Sequence, residues 1–279
     1  MLTVSSIVKS LPSGKRLINN VSFKVTKGEF VSILGSSGAG KSLTLRCITG
    51  LTQPDQGEIT LVSPRNESYP TTNVTARQLR KARRHIGVMF QGSNLVKRLS
   101  VLENVMIGRL GQINPIRSWL RGFLDTEARE AMAALDRVRM TSFAGRLAGS
   151  LSGGEMQRVA IARAVYQSPL IYLADEPISS LDPRNAEAIM SLLQPLAQET
   201  PVLGAFHQPE LVARYCTRVI GMRNGRIVYD GPPRLKQHEL EMIYASHDTE
   251  HAVLLDGVHT MGPYLDSDYS QPLPHGANS

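Results

Sequence analysis

The stretch Gly35-Ser36-Ser37-Gly38-Ala39-Gly40-Lys41-Ser42 constrains this chain more than any other. It fits the pattern GxxxxGK[ST], and its flanks give the match meaning. Residues 29–34 are apolar and β-branched, as a buried strand is, and residues 42–48 run without a breaker to Gly50, as a short helix with a C-terminal glycine does. A strand that feeds a glycine-rich turn and then a helix N-terminus is a phosphate cradle. The glycines let backbone N–H groups converge and the helix dipole adds positive potential. Lys41 reaches the β- and γ-phosphates, and the Ser42 hydroxyl suits Mg²⁺. ATP or another nucleoside triphosphate with Mg²⁺ is the ligand this loop predicts.

A second segment completes that chemistry. Leu170-Ile171-Tyr172-Leu173-Ala174 reads as a buried parallel strand and ends in Asp175-Glu176, at the carboxyl edge where open α/β sheets bind ligands. Asp175 suits the Mg²⁺ shell. Glu176, one residue on, is placed to polarise the water that attacks the γ-phosphate. A third segment, Leu151-Ser152-Gly153-Gly154-Glu155-Met156-Gln157-Arg158, opens an unbroken helical run over 159–165 with a serine hydroxyl and glycine N–H groups, a second start of the kind that holds an anion. Two phosphate-binding helix starts on one chain predict two copies that share each nucleotide.

The rest of the chain reads as an α/β protein. Residues 21–25 and 29–34 predict two short strands around the turn-like Lys27-Gly28, residues 63–75 an irregular excursion, and residues 86–90 a strand. From 94 to 147 the apolar residues recur at helical spacing, which predicts a mostly α insert. A helix over 186–197, a strand over 202–206 and a short helix over 238–245 follow. The last residues, 263–279, are polar with Pro and Gly and predict a flexible tail.

Composition narrows the classes. A net charge of +7 is compatible with nucleic acid, an anionic membrane surface or phosphate-facing side chains, and does not choose among them. No apolar run approaches the roughly 20 residues of a membrane-spanning helix. The first residues lack the basic and long apolar regions of a secretory signal, which predicts a chain that stays in the cytoplasm. Cys47 and Cys216 sit in no metal-like spacing and read as reduced packing residues.

Taken in order, these segments resemble the ABC ATPase family over about residues 1–245. Residues 36–42 match its Walker A loop, 151–158 its signature, 171–176 its Walker B strand and Ser180-Leu181-Asp182 its D-loop. The resemblance further implies that Gln91 is the Q-loop glutamine, near metal and water, and that His207 contacts the γ-phosphate. It puts Leu11, within Lys9-Ser10-Leu11-Pro12-Ser13-Gly14, where the family usually offers an aromatic ring to adenine. The implied fold is a P-loop α/β core with an N-terminal antiparallel β element and an α-helical signature subdomain at about 92–150, followed by a tail over 246–279.

Residues 94–105, Gly108-Arg109-Leu110-Gly111, Arg117-Ser118-Trp119, the run 176–182 and the run 239–244 resemble the ATPase subunits of phosphonate importers. That likeness implies a homodimer on transmembrane permease subunits at the cytoplasmic face of the inner membrane, served indirectly by a periplasmic or lipid-anchored solute-binding protein. Two other readings stay open: a soluble accessory ATPase of phosphonate breakdown, and an importer ATPase for another small solute. DNA-associated members of the family carry long coiled-coil or zinc insertions, and none is present, so no nucleic-acid partner is expected.

Overall fold

Residues 1–90, 92–112 and 125–245 are described by the computed structural model of the chain. Strands β1 (Leu2–Ser10), β2 (Arg16–Val25), β4 (Gln56–Val62) and β5 (Ser68–Pro70) form an antiparallel sheet in the order β2-β1-β4-β5. The second sheet has the order β10-β9-β3-β8-β7-β6, where β3 is Phe30–Leu34, β6 Ile86–Met89, β7 Ile171–Asp175, β8 Val202–Ala205, β9 Arg218–Arg223 and β10 Arg226–Gly231. Its strands run parallel except the edge strand β10.

Burial explains why the two strands around Lys27-Gly28 do not pair with one another as a hairpin. Along β2 buried and exposed residues alternate over its second half, the pattern of a sheet wet on one side, whereas all five residues of β3 are buried. β2 therefore stays in the small sheet, and β3 enters the centre of the large one. The excursion at 63–75 also contains more order than its prolines suggest, because β5 pairs there with β4 through Tyr69 opposite Leu61.

Among the described residues the helices in chain order are α1 (Lys41–Ile48), α2 (Ala76–Arg83), α3 (Val101–Met106), α4 (Asp125–Arg137), α5 (Gly153–Tyr166), α6 (Pro183–Glu199), α7 (Pro209–Tyr215) and α8 (Gln237–Tyr244). Among its described residues, the region expected to be helical between 94 and 147 holds α3, 3-10 turns at Ile107–Arg109 and Thr141–Phe143, and α4; α3 and α4 pack on α5, and Val105, Ala131 and Leu135 join Ile161 in one buried core. Each of α2, α3 and α5 starts with a reciprocal capping box, Thr75 with Gln78, Ser100 with Glu103 and Ser152 with Glu155, so their first turns are fixed locally. Among the described residues no helix is long and apolar enough to cross a membrane. Cys47 and Cys216 are buried free thiols.

Candidate functional site

The loop 35–40 leaves the carboxyl end of β3 and turns directly into α1. Gly35 is held against the neighbouring strand so closely that a Cβ there would lie 2.2 Å from the Met222 carbonyl oxygen, at φ +153°. Only glycine lets the loop start that low on the sheet. From this start Ala39 N–H donates to Ser36 O at 3.2 Å, and Gly225 N–H donates to Ala39 O at 3.1 Å, which ties the loop to the β9–β10 turn.

Lys41 is 5% exposed, and its ammonium donates to Gly35 O at 2.7 Å and Ser36 O at 2.9 Å. Burial lowers its pKa, while the nearby carboxylates of Glu176 and Asp175 act the other way. A desolvated ammonium satisfied by two carbonyls is poised to exchange them for phosphate oxygens, which repay its charge better.

Two neighbouring parallel strands deliver the remaining side chains, β7 the two carboxylates and β8 the histidine. Asp175 closes β7, and Ser42 Oγ donates to its Oδ1 at 2.7 Å. A hydroxyl and a carboxylate oxygen thus meet beside the loop, a hard-oxygen pair of the kind Mg²⁺ takes while its other ligands come from phosphate and water. Among the described residues no cluster of three metal-binding side chains would hold an ion alone. Glu176 follows at φ +49°, and its N–H donates to Ala205 O of β8 at 3.2 Å. That left-handed backbone turns the carboxylate away from the strand. His207, two residues past β8, meets it, with Nε2 and Glu176 Oε1 2.5 Å apart.

These groups share one cavity of about 500 Å³, whose walls include Ser37, Gly38, Gly40, Lys41, Ser42, Glu176 and His207. Leu17 and Leu43 supply its apolar part. Leu11 stands apart, 43% exposed on the turn between β1 and β2 and absent from this lining. Leu17 is a cavity position that sequence reasoning missed. Its backbone carbonyl lies 2.5 Å from where a Gly225 Cβ would be, a long-range contact with no local signal.

Ser152, Gly153 and Gly154 are not in this cavity either. They open α5, where Ser152 N–H and Oγ donate to Glu155 Oε2 at 2.8 and 2.7 Å. Ser152 and Gly153 are exposed, whereas Gly154 is buried against Asn185, whose Oδ1 would be 2.8 Å from an added Cβ. Asn185 donates through Nδ2 to Asp182 Oδ2 at 2.6 Å, and Asp182 caps α6. Asn185 therefore packs against Gly154 while hydrogen-bonded to Asp182, a contact the sequence did not announce. Gln91, Arg117-Ser118-Trp119 and the tail over 246–279 lie outside the described residues.

Comparison with known proteins agrees with this geometry. Residues 18–179 match the family model described as ABC transporter. The chain is 40% identical over 279 residues to a phosphonates import ATP-binding protein of Synechococcus, covering 99% of this chain and 98% of that one. It is 46% identical over 250 residues to a protein of the same name from Nitratidesulfovibrio vulgaris, covering 88% and 92%. Among solved structures, a dimeric ATP-binding cassette in a post-hydrolysis state with ADP and Pi superposes with a TM-score of 0.68 at 33% identity, over 85% of this chain and all of that one. An ADP-bound cassette of an ABC transporter gives 0.71 at 28% identity, over 86% and 93%.

Proposed function

The chain belongs to the ABC transporter family, and from that membership we propose that it is the ATP-hydrolysing subunit that energises a phosphonate importer. The observation that carries the catalytic part is the meeting of Lys41, Ser42, Glu176 and His207 around one cavity at the carboxyl edge of the parallel sheet, with Asp175 hydrogen-bonded to Ser42 beside it. The phosphonate cargo rests on relatives of that name, which align along nearly the whole chain.

The chain's own residues account for the chemistry. The loop N–H groups and the start of α1 bind the phosphates, and Lys41 gives up two loop carbonyls to neutralise the β- and γ-oxygens. Ser42 and Asp175 are the side chains that would hold Mg²⁺, which when bound offsets charge on the phosphates. Glu176 is the group that accepts a hydrogen bond from the attacking water, and His207 fixes the carboxylate's orientation by its contact with Oε1. Gln91 is assigned to the metal and water by family resemblance. Leu17 lines the cavity beside the loop and is the candidate cover for the base, a place that family resemblance would give to Leu11 of the preceding turn.

Ser152, Gly153 and Gly154 do not line this cavity, and this supports a homodimer in which the signature of one subunit completes the nucleotide site of the other. A single loop covers one side of the γ-phosphate, and a second helix start covers the opposite side. Two-fold symmetry then makes two equal sites. Closure over nucleotide and reopening after phosphate release would drive transmembrane permease subunits at the cytoplasmic face of the membrane, with the helical region at about 92–150 as the contact. Affinity purification of the tagged chain from detergent-solubilised membranes tests the assignment. A multispanning membrane protein should co-purify in stoichiometric amount, and a chain recovered only as a free ATPase would favour an accessory enzyme.

A further inference from the structure

We propose that the outer face of α2 binds the anionic headgroups of the membrane, so that the subunit is held to the lipid as well as to its permease. This rests on the importer reading above. Arg77, Arg80, Lys81 and Arg84 stand at i, i+3, i+4 and i+7, which on a helix is a single stripe. All four are exposed, and Arg84 continues the helical backbone at φ −63°, ψ −21°. The opposite face carries Ala82, fully buried, and Leu79, whose methyl packs on Gly50. Arg83 is off the stripe and already employed, donating to Thr49 O and Gly50 O at 2.9 Å each.

Ordinary folding requirements do not explain the stripe. The helix contains no acidic residue, and no described acidic side chain forms an ion pair with Arg77, Arg80 or Arg84. Lys81 alone is partly offset, sitting 5.2 Å over the Tyr69 ring with Glu67 nearby. Favourable interaction with the helix dipole accounts for cations in the last turn, but Arg77 lies in the first turn, where a cation faces the positive end. Like charges at i and i+4 also oppose one another. A stripe that costs the isolated helix stability is best matched to an external anionic partner.

The partner follows from charge and shape. The stripe spans seven residue steps, about 10 Å of helix, and offers four cations, fewer than the roughly 6–10 phosphate contacts of a strongly salt-dependent duplex complex. Permease loops at the cytoplasmic face are themselves enriched in Lys and Arg and would repel it. The cytoplasmic leaflet is anionic and attracts basic segments beside it. Position agrees: Gln167 Nε2 donates to Arg83 O and Arg84 O at 3.1 Å each, while Gln112 Nε2 donates to Gln167 O at 3.0 Å. The end of α2 is thereby fastened to the 92–112 segment, which is assigned above to the permease contact.

The test is sedimentation of the full chain with vesicles of phosphatidylcholine alone and of phosphatidylcholine with about one third phosphatidylglycerol, at 0.1 M salt. The chain should bind the anionic vesicles and not the zwitterionic ones. Each basic side chain near such a surface is worth roughly fivefold in partition, so R77Q/R80Q/R84Q should weaken binding on the order of a hundredfold. ATP hydrolysis should be unchanged, which also reports that the variant is folded. A variant with the same loss of charge elsewhere, K15Q/K24Q/K27Q, should keep most of the binding. Equal binding by the α2 variant, equal loss in both variants, or retention by duplex DNA without vesicle binding would each overturn the proposal. Permease co-purification and phosphonate uptake are read separately, so the importer assignment can stand if this fails.

Discussion

Substituting alanine at two glycines of the same loop should have opposite consequences. At Gly38, φ is +79° and an added Cβ meets nothing within 4 Å. The left-handed backbone costs a non-glycine residue roughly 1–2 kcal/mol, and the stiffer unfolded chain returns roughly 0.4–1. Gly38→Ala should therefore cost between roughly zero and 1.6 kcal/mol. At Gly35 the Cβ would sit 2.2 Å from the Met222 carbonyl oxygen and 3.0 Å from Ala39 Cβ. The first contact is backbone on a central parallel pair, where Leu34 lies opposite Gly221, so no side-chain rotation relieves it. Overpacking of roughly 1–3 kcal/mol adds to the backbone term, giving about 2–5 kcal/mol, a large part of the roughly 5–15 that holds a domain folded. Urea unfolding measures both variants, and a fluorescent nucleotide reports binding. Gly38→Ala should keep near-parental stability but bind nucleotide weakly, because its methyl stands at the cavity wall. Gly35→Ala should lose stability first. Equal stability of the two variants would refute the reasoning from the Met222 contact.

Three further outcomes are expected. Because the described cavity lining is aliphatic at Leu17 and Leu43 and Leu11 brings no ring, ATP and GTP affinities should differ by less than about tenfold, or 1.4 kcal/mol; a hundredfold preference measured by equilibrium binding would mean another residue reads the base. If each site is shared, mixing Lys41→Ala with Ser152→Arg subunits should restore part of the ATPase activity that each variant lacks, since one interface of the heterodimer collects both lesions; mixtures that form and stay inactive count against shared sites that fire independently. Burial pushes the Cys47 thiol from 9.0 up to about 11 and Cys216 up as well, so the folded chain keeps protons that the unfolded chain releases. Their contribution is complete below about pH 9 and is lost as pH rises toward 11; Cys47→Ala with Cys216→Ala should flatten that alkaline fall in thermal stability.

How legible each part was in the sequence depends on whether its cause is local. The loop 35–42, the Asp175-Glu176 pair and the start of α5 announce themselves because glycine, strand and cap signals lie within a few residues of the chemistry. β1 did not. Its apolar residues Leu2, Val4 and Ile7 break the two-residue alternation between Val4 and Ile7, where the register shifts and Ser6 takes φ +49°. The β9–β10 hairpin does carry a local signal: Asn224-Gly225, both at positive φ, is the turn a tight hairpin favours. Leu17 and Asn185 could not be found locally, since each matters through contacts far along the chain, with Gly225 and with Gly154. Tertiary packing puts Leu17 rather than Leu11 at the cavity wall.

Uptake of a labelled alkylphosphonate by cells deleted for the gene tests the central claim most directly, with the deletion complemented by the parent chain or by Glu176→Gln. The parent should restore uptake. The variant should bind ATP, fail to turn it over and leave phosphonate uptake at the deletion level, while growth on phosphate is unaffected in every strain. Uptake that survives the deletion in a strain with no second phosphonate system, or that the Glu176→Gln chain restores, would contradict the account.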